Sequence, residues 1–131
     1  MKKILFLAIV FFAIHVVSAQ DATSVATEKV YNTAGVELKP EFPGGIGEFY
    51  KFFGKNYNTP NVRGLAGKVY ITFVVDSDGS IVDIQVFRDI GYGTGDEAIR
   101  VLKKSPKWIP AEQDGKKVRC QFSLPISIMS R

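Results

Sequence analysis

Few side chains in this sequence have the chemistry of a catalytic base or a metal ligand. His15 is the one histidine among 131 residues, and it lies inside the apolar run at residues 4–17. A catalytic triad, a cysteine–histidine pair and a histidine-bearing zinc site each need an imidazole. We therefore expect a protein that is not an enzyme and that uses neither a metal nor a cofactor.

Cys120 is the only cysteine, so no disulfide can form within the chain. It lies on the apolar side of an alternating segment, where a free cysteine usually behaves as a small buried hydrophobic residue. We expect it in the core rather than as a nucleophile, because nothing nearby in the sequence would activate its thiol.

Two glycine-containing loops have some features of ligand-binding motifs but the wrong spacing. The "DSDG" segment at residues 76–79 starts like a calcium loop, yet it lacks the distal glutamate and joins two predicted strands. The "GYGTG" segment at residues 91–95 is not a dinucleotide fingerprint, and the two acidic residues after it would repel an anion. We expect a hairpin turn at the first loop and no phosphate site at the second.

The N-terminus has the pattern of a secretory signal. Lys2 and Lys3 precede the apolar run at residues 4–17, and the small residues Ser18 and Ala19 follow it. The run is shorter than the roughly 20 residues that a membrane-spanning helix needs. We predict export and cleavage after Ala19; an uncleaved segment would instead anchor the chain in the membrane.

The chain that remains after removal of residues 1–19 is small and nearly neutral. Its 17 basic residues fall to 15, against 13 acidic ones, and the lysines are scattered rather than clustered on one face. This pattern argues against a nucleic-acid partner. The length fits one domain. We predict a flexible leader at residues 20–38, because it is polar, and a folded domain at residues 39–131.

Two segments have the periodicity of helices. The first has apolar residues at i, i+3, i+4 and i+7, which form one stripe that packs on the core. These residues are Ile46, Phe49, Tyr50 and Phe53. The second helix is predicted to begin at Thr94, because Thr94 and Glu97 have the spacing of a capping box, and to end before Pro106.

Three segments alternate with the period of strands, at residues 68–76, 82–87 and 118–128. Pro125 marks the last of them as an edge strand, because proline cannot donate a backbone hydrogen bond to a neighbour. The predicted fold is α+β, with two helices packed on a small antiparallel sheet of about three strands. We also expect Trp108 and the first helix to pack on one face of that sheet.

Four segments carry a resemblance to a known family. They occur in the order "PEFPGG", "GKVYITFVVDSDGSIVDIQVFRDIG", "DEAIRVLKKSPKWIP" and "GKKVRCQFSLPISI", over about residues 39–128. Together they resemble the C-terminal domain of TonB energy transducers, in the form common in Bacteroidetes. The resemblance implies a periplasmic module that binds extended segments of outer-membrane receptors by β-strand addition, in energy-dependent transport of nutrients such as iron chelates.

The proline argument and the resemblance indicate the same strand as the partner-binding edge. The candidate residues on it are Val118, Arg119, Cys120, Gln121, Phe122, Ser123 and Leu124. The family also has a Tyr-Pro motif that touches the receptor segment. Phe42-Pro43 keeps an aromatic residue before proline, whereas Thr59-Pro60 has the closer spacing without the aromatic. Phe42 and Pro43 are therefore candidates beside the peptide groove, with a purely structural role as the alternative.

One feature departs from the family pattern. Family transducers carry a membrane anchor and a long proline-rich spacer, whereas residues 20–38 are polar and not rich in proline. This leaves a second hypothesis, a free-standing secreted adaptor or structural protein that keeps the fold without energy transduction and self-associates through its exposed edge. Contact with the inner membrane is expected only if the signal stays uncleaved.

Overall fold

The computed structural model of the chain describes residues 29–130. The elements in chain order are β1 (Val30–Asn32), a short 3₁₀ turn (Thr33–Gly35), α1 (Ile46–Asn56), β2 (Ala66–Val75), β3 (Ile81–Arg88), α2 (Thr94–Lys103), β4 (Ala111–Gln113) and β5 (Lys116–Met129). Among these elements, neither helix has the length and apolar character that crossing a membrane requires. The predicted export signal at residues 1–19 lies outside the described residues.

The five strands form a mixed sheet. Its order is β1-β5-β2-β3, and β4 pairs with the start of β5. β2 pairs antiparallel with both β3 and β5, whereas β1 runs parallel to β5. The predicted α+β fold with two helices is confirmed. The sheet has five strands and is mixed, whereas about three antiparallel strands were expected. β1 and β4 are three residues each, which is too short to show a period in the sequence.

The second half of the predicted flexible leader belongs to the fold. Val30 pairs with Arg119, and Asn32 accepts a hydrogen bond from the Ala34 amide at 3.0 Å through its side-chain oxygen. Leu38 then exchanges backbone hydrogen bonds with Glu112, at 3.1 and 3.0 Å. The prediction was wrong for residues 29–38, because backbone pairing orders this segment without an apolar pattern in its side chains.

The core lies between the two helices and one face of the sheet. Trp108 is its centre, with ring centroids at 5.2 to 5.6 Å from four other aromatic rings. These rings belong to Phe42, Phe49, Phe73 and Phe122. The predicted packing of Trp108 and the first helix on the sheet is therefore confirmed. The hairpin at "DSDG" is confirmed too, since Asp76 donates its amide to the Ser80 carbonyl at 2.8 Å.

The apolar stripe of α1 does not pack wholly on the core. Phe49 and Phe53 are buried, whereas Ile46 is 49% exposed and Tyr50 is 45% exposed. The prediction of one core-facing stripe was wrong for these two residues. The physical reason is position: α1 lies beside β5 near the border of the sheet, so one side of its stripe extends past the covered surface.

α2 begins at Thr94 as predicted, but its N-terminal cap differs from the prediction. Gly93, at φ +76°, precedes the helix, and Thr94 is already its first residue. The Thr94 hydroxyl donates to the Gly91 carbonyl at 2.7 Å instead of capping the helix. Glu97 accepts from the Asn58 amide at 2.8 Å, so its carboxylate holds the segment after α1. The predicted capping box was wrong, because both side chains have partners outside the helix end.

Candidate partner-binding site

β5 has a border without a strand partner over much of its length. β2 pairs with β5 from Cys120 to Met129, and β1 pairs with residues 119–121 on the other side. Within residues 29–130, no strand pairs with the side facing away from β2 from Phe122 to Met129. We call this side of residues 122–129 the open edge.

The predicted site at residues 118–124 is therefore divided in two. Val118 lies opposite Ala111 of β4, and residues 119–121 lie opposite β1. Phe122, Ser123 and Leu124 lie on the open edge. The edge prediction was wrong for residues 118–121, because β4 pairs with Val118 and β1 covers residues 119–121. Pro125, which motivated it, is within the stretch that is open.

The direction of the β5 amides follows from one hydrogen bond at its end. Ser130 donates its backbone N–H to the Leu65 carbonyl at 2.9 Å, and the same register continues without a shift along the whole β2–β5 pair. Backbone groups of successive strand residues point to opposite sides. Even-numbered residues of β5 therefore face β2, and odd-numbered residues face away from it. On the open edge the outward amides are those of Ser123, Ser127 and Met129, while Pro125 has none to offer.

Two cavities lie along the open edge beneath α1. A cavity of about 610 Å³ adjoins Phe122, and its walls include Leu38, Phe42, Ile46 and Trp108. We call it the Phe122 pocket. The second has a volume of about 420 Å³ and lies between residues 125–127 and the helix.

The helix contributes Tyr50, Phe53 and Gly54 to that second cavity. The half-exposed side chains Ile46 and Tyr50 thus follow the open edge at a spacing of one helical turn. We call the two cavities together the groove.

The two candidate counterparts of the family's Tyr-Pro motif lie at opposite ends of the open edge. Phe42 lines the Phe122 pocket, whereas Pro43 is exposed and does not line it. Thr59 and Pro60 lie beside Met129, where they line a smaller cavity. The structure thus brings Phe42 next to the predicted strand residue Phe122, with Trp108 packed between their rings at 5.6 and 5.2 Å.

The open edge carries no charge. The sequence from Phe122 to Met129 is "FSLPISIM", in which Ser123, Ser127 and Met129 are exposed. The opposite border of the sheet is different. β3 has two register shifts against β2, a positive φ of 51° at Asp83 and the charged residue Arg88. Bulges and charges are devices that prevent an edge strand from pairing with other chains. Of these two borders, β3 is guarded and the open edge is accessible.

Three of the predicted site residues have structural roles. Cys120 is fully buried, and burial raises the pKa of its thiol, so it is the core residue that the sequence predicts. Arg119 lies near two carboxylates, with 3.5 Å between its Nε and Oδ1 of Asp76 and 3.8 Å between its Nη2 and Oδ2 of Asp83. Gln121 pairs with β1. None of the three contributes a backbone group to the open edge.

The described residues also offer no metal centre. Residues 29–130 contain no group of three or more histidine, cysteine, aspartate or glutamate side chains that could hold an ion. The open edge itself offers backbone groups, hydroxyls and apolar side chains, and the cavities beside it are also lined by Glu37, Lys39, Glu41 and Lys68.

The sequence matches the model of one protein family, described as the C-terminal domain of the Gram-negative bacterial TonB protein, over residues 61–127. The match covers just over half of the chain. The chain belongs to this family. A comparison with curated proteins found no match. TonB C-terminal membership indicates a non-enzymatic, transport-related domain with a periplasmic or membrane-anchored periplasmic location.

The matched region includes the open edge up to Ser127 but begins after α1. It does not extend to Phe42 or to the helix. Sequence reasoning missed Leu38 as a lining residue and treated Ile46 and Tyr50 as core. Four large apolar residues on one short helix could have indicated that the helix has an apolar surface outside the core. Only the position of α1 at the border of the sheet shows which of the four residues form that surface.

Proposed function

We propose that this domain binds an extended segment of a partner protein, which adds as a strand to the open edge. The observation that carries the proposal is an uncharged border whose outward amides, at Ser123, Ser127 and Met129, have no strand partner among residues 29–130. In strand addition, main-chain hydrogen bonds provide affinity, and pockets for alternate side chains provide register. The groove supplies such pockets on the helix side.

Backbone pairing alone is too weak to hold the segment. A net hydrogen bond contributes about 0.5–1.5 kcal/mol, whereas association costs an estimated 4–15 kcal/mol or more in lost freedom. Apolar side chains of the segment must therefore enter the groove. Ile46 and Leu38, at 49% and 58% exposure, provide apolar surface that such side chains would remove from water.

The partner that we propose is the N-terminal segment of a TonB-dependent outer-membrane receptor, bound in the periplasm during uptake of a scarce nutrient such as an iron chelate. Family membership supports this identity, since TonB C-terminal domains interact with outer-membrane receptors. Export by residues 1–19 is part of the same proposal. N-terminal sequencing of the envelope protein tests it: a chain that begins at Gln20 supports export and cleavage, and one that keeps Met1 supports the anchored form.

Titration by NMR tests the binding proposal. The ¹⁵N-labelled protein is mixed with synthetic N-terminal segments of outer-membrane receptors from the same genome. We expect the largest amide shifts at residues 122–129 and in α1 near Tyr50. Shifts confined to β3 or to residues 89–93 would contradict the proposal. A scrambled segment of equal composition is the matched control.

A further inference from the structure

We propose that Pro125 prevents two copies of this chain from pairing through their open edges, so that the site stays available to a different segment. The inference concerns the same edge as the proposed function and deepens it by naming the competitor that is kept out. It begins from the position of Pro125 halfway along the open edge, in the set of residues whose backbone faces outward.

A second copy of the chain is always present in solution and could compete with a partner segment for the open edge. The open edge is uncharged, so two copies would bring no like charges together. The outward residues Ser123, Ser127 and Met129 have small or flexible side chains, which would not block a second strand. An exposed edge of this kind is a template for pairing with another chain. Unlike β3, which has bulges and charges, this edge has only Pro125 as a guarding feature within the described part of β5.

Symmetry doubles the effect of one missing donor. Closed dimers use the same surface on both copies, so the two edges would run antiparallel. Outward residues would then form the pairs that exchange two backbone hydrogen bonds. Pro125 opposite Pro125 forms neither bond of its pair. Pro125 opposite Ser123 or Ser127 loses one bond in each of two equivalent pairs. Each of these registers therefore loses two bonds.

A different segment meets Pro125 only once. It loses a single bond at that position, and it can place that residue where its carbonyl stays in contact with water. The penalty on a second copy is thus twice the penalty on a partner segment. From the net value of a hydrogen bond, two lost bonds correspond to roughly a 5- to 150-fold weaker dimer.

Sedimentation equilibrium of the protein purified from cells that express the full chain tests this inference. We expect the wild type to stay monomeric across a concentration series in which Pro125→Ala dimerises, with a dissociation constant lower by roughly 5- to 150-fold. Pro106→Ala is the matched control, because Pro106 is an exposed proline that lies outside every strand. It should sediment as the wild type does. Circular dichroism checks that each variant is folded, and Pro125→Ser replaces Pro125→Ala if the latter is not.

The route of dimerisation is tested by a second substitution. Adding Ser127→Pro to Pro125→Ala puts a proline back among the outward amides and should restore the monomer. A wild type that already dimerises through the open edge would overturn the inference. So would a folded Pro125→Ala that remains as monomeric as the wild type, or a dimer that Ser127→Pro leaves intact.

The outcomes separate this inference from the proposed function. If Pro125→Ala stays monomeric while the receptor segment still binds the open edge, the role of Pro125 is wrong and the proposed function stands. If Pro125→Ala dimerises through the open edge but no receptor segment binds either protein, the role of Pro125 stands and the proposed function is wrong.

Discussion

The substitution Ser127→Pro removes one backbone amide, and we expect it to weaken segment binding without affecting folding. The Ser127 amide faces the open edge, and its side chain is exposed. Proline at this position removes a donor that the bound segment needs but that the sheet itself does not use. The lost bond is worth about 0.5–1.5 kcal/mol, which predicts a roughly 2- to 12-fold loss of affinity. We expect the free energy of unfolding to change little.

Two neighbouring variants complete this test by isothermal titration with a receptor segment. Ser127→Ala keeps the amide and should bind like the wild type. Ile126→Pro removes an amide that faces Val69 of β2, so it should destabilise the fold strongly in denaturant unfolding. Equal affinity of Ser127→Pro and Ser127→Ala for the segment would refute strand addition at this edge. A Ser127→Pro protein as unstable as Ile126→Pro would refute the assigned amide direction.

Three further predictions follow from burial and exposure. Phe49→Ala should lower the free energy of unfolding by about 3–5 kcal/mol in urea, because Phe49 is fully buried in the aromatic core; a loss below about 1 kcal/mol would contradict this packing. Ile46→Ser should weaken segment binding in titration with little change in the urea midpoint, because Ile46 lines the Phe122 pocket and is half exposed; unchanged binding would exclude the pocket. Burial raises the pKa of Tyr57 to about 12, and its hydroxyl donates to the Thr94 carbonyl at 2.9 Å. The neutral phenol is therefore favoured in the folded state, and its contribution to stability should be complete below pH 10 and lost between pH 10 and about 12. Ultraviolet titration checks this, and a Tyr57 that ionises near pH 10 would contradict it.

The helices and the long strands were predictable because their side chains carry a clear period. α1, α2, β2, β3 and β5 all have such patterns, and the sequence indicates each of them. Their ends were less predictable, as Thr94 shows. The spacing of Thr94 and Glu97 fits a capping box, but tertiary partners take both side chains.

The neighbours of β5 were not predictable in the same way. Alternation reports which face of a strand is buried, and it says nothing of which strand lies beside it. β1 is only three residues long and pairs through its backbone, so its sequence gave no sign that it covers residues 119–121. Pro125 did indicate that one edge of β5 is unpaired, since proline lacks the backbone donor that a neighbouring strand would need. The predicted segment at residues 118–124 thus overlaps the open edge only from Phe122 to Leu124, and its role in binding stays a prediction.

Amide hydrogen exchange, resolved by residue, tests the central claim most directly. In the free protein the outward amides of Ser123, Ser127 and Met129 should exchange fast, while those of Leu124 and Ile126, which face β2, should be protected. Saturation with a receptor segment should protect the outward set and leave the inward set unchanged. Outward amides that keep exchanging fast in the saturated complex would contradict strand addition at the open edge.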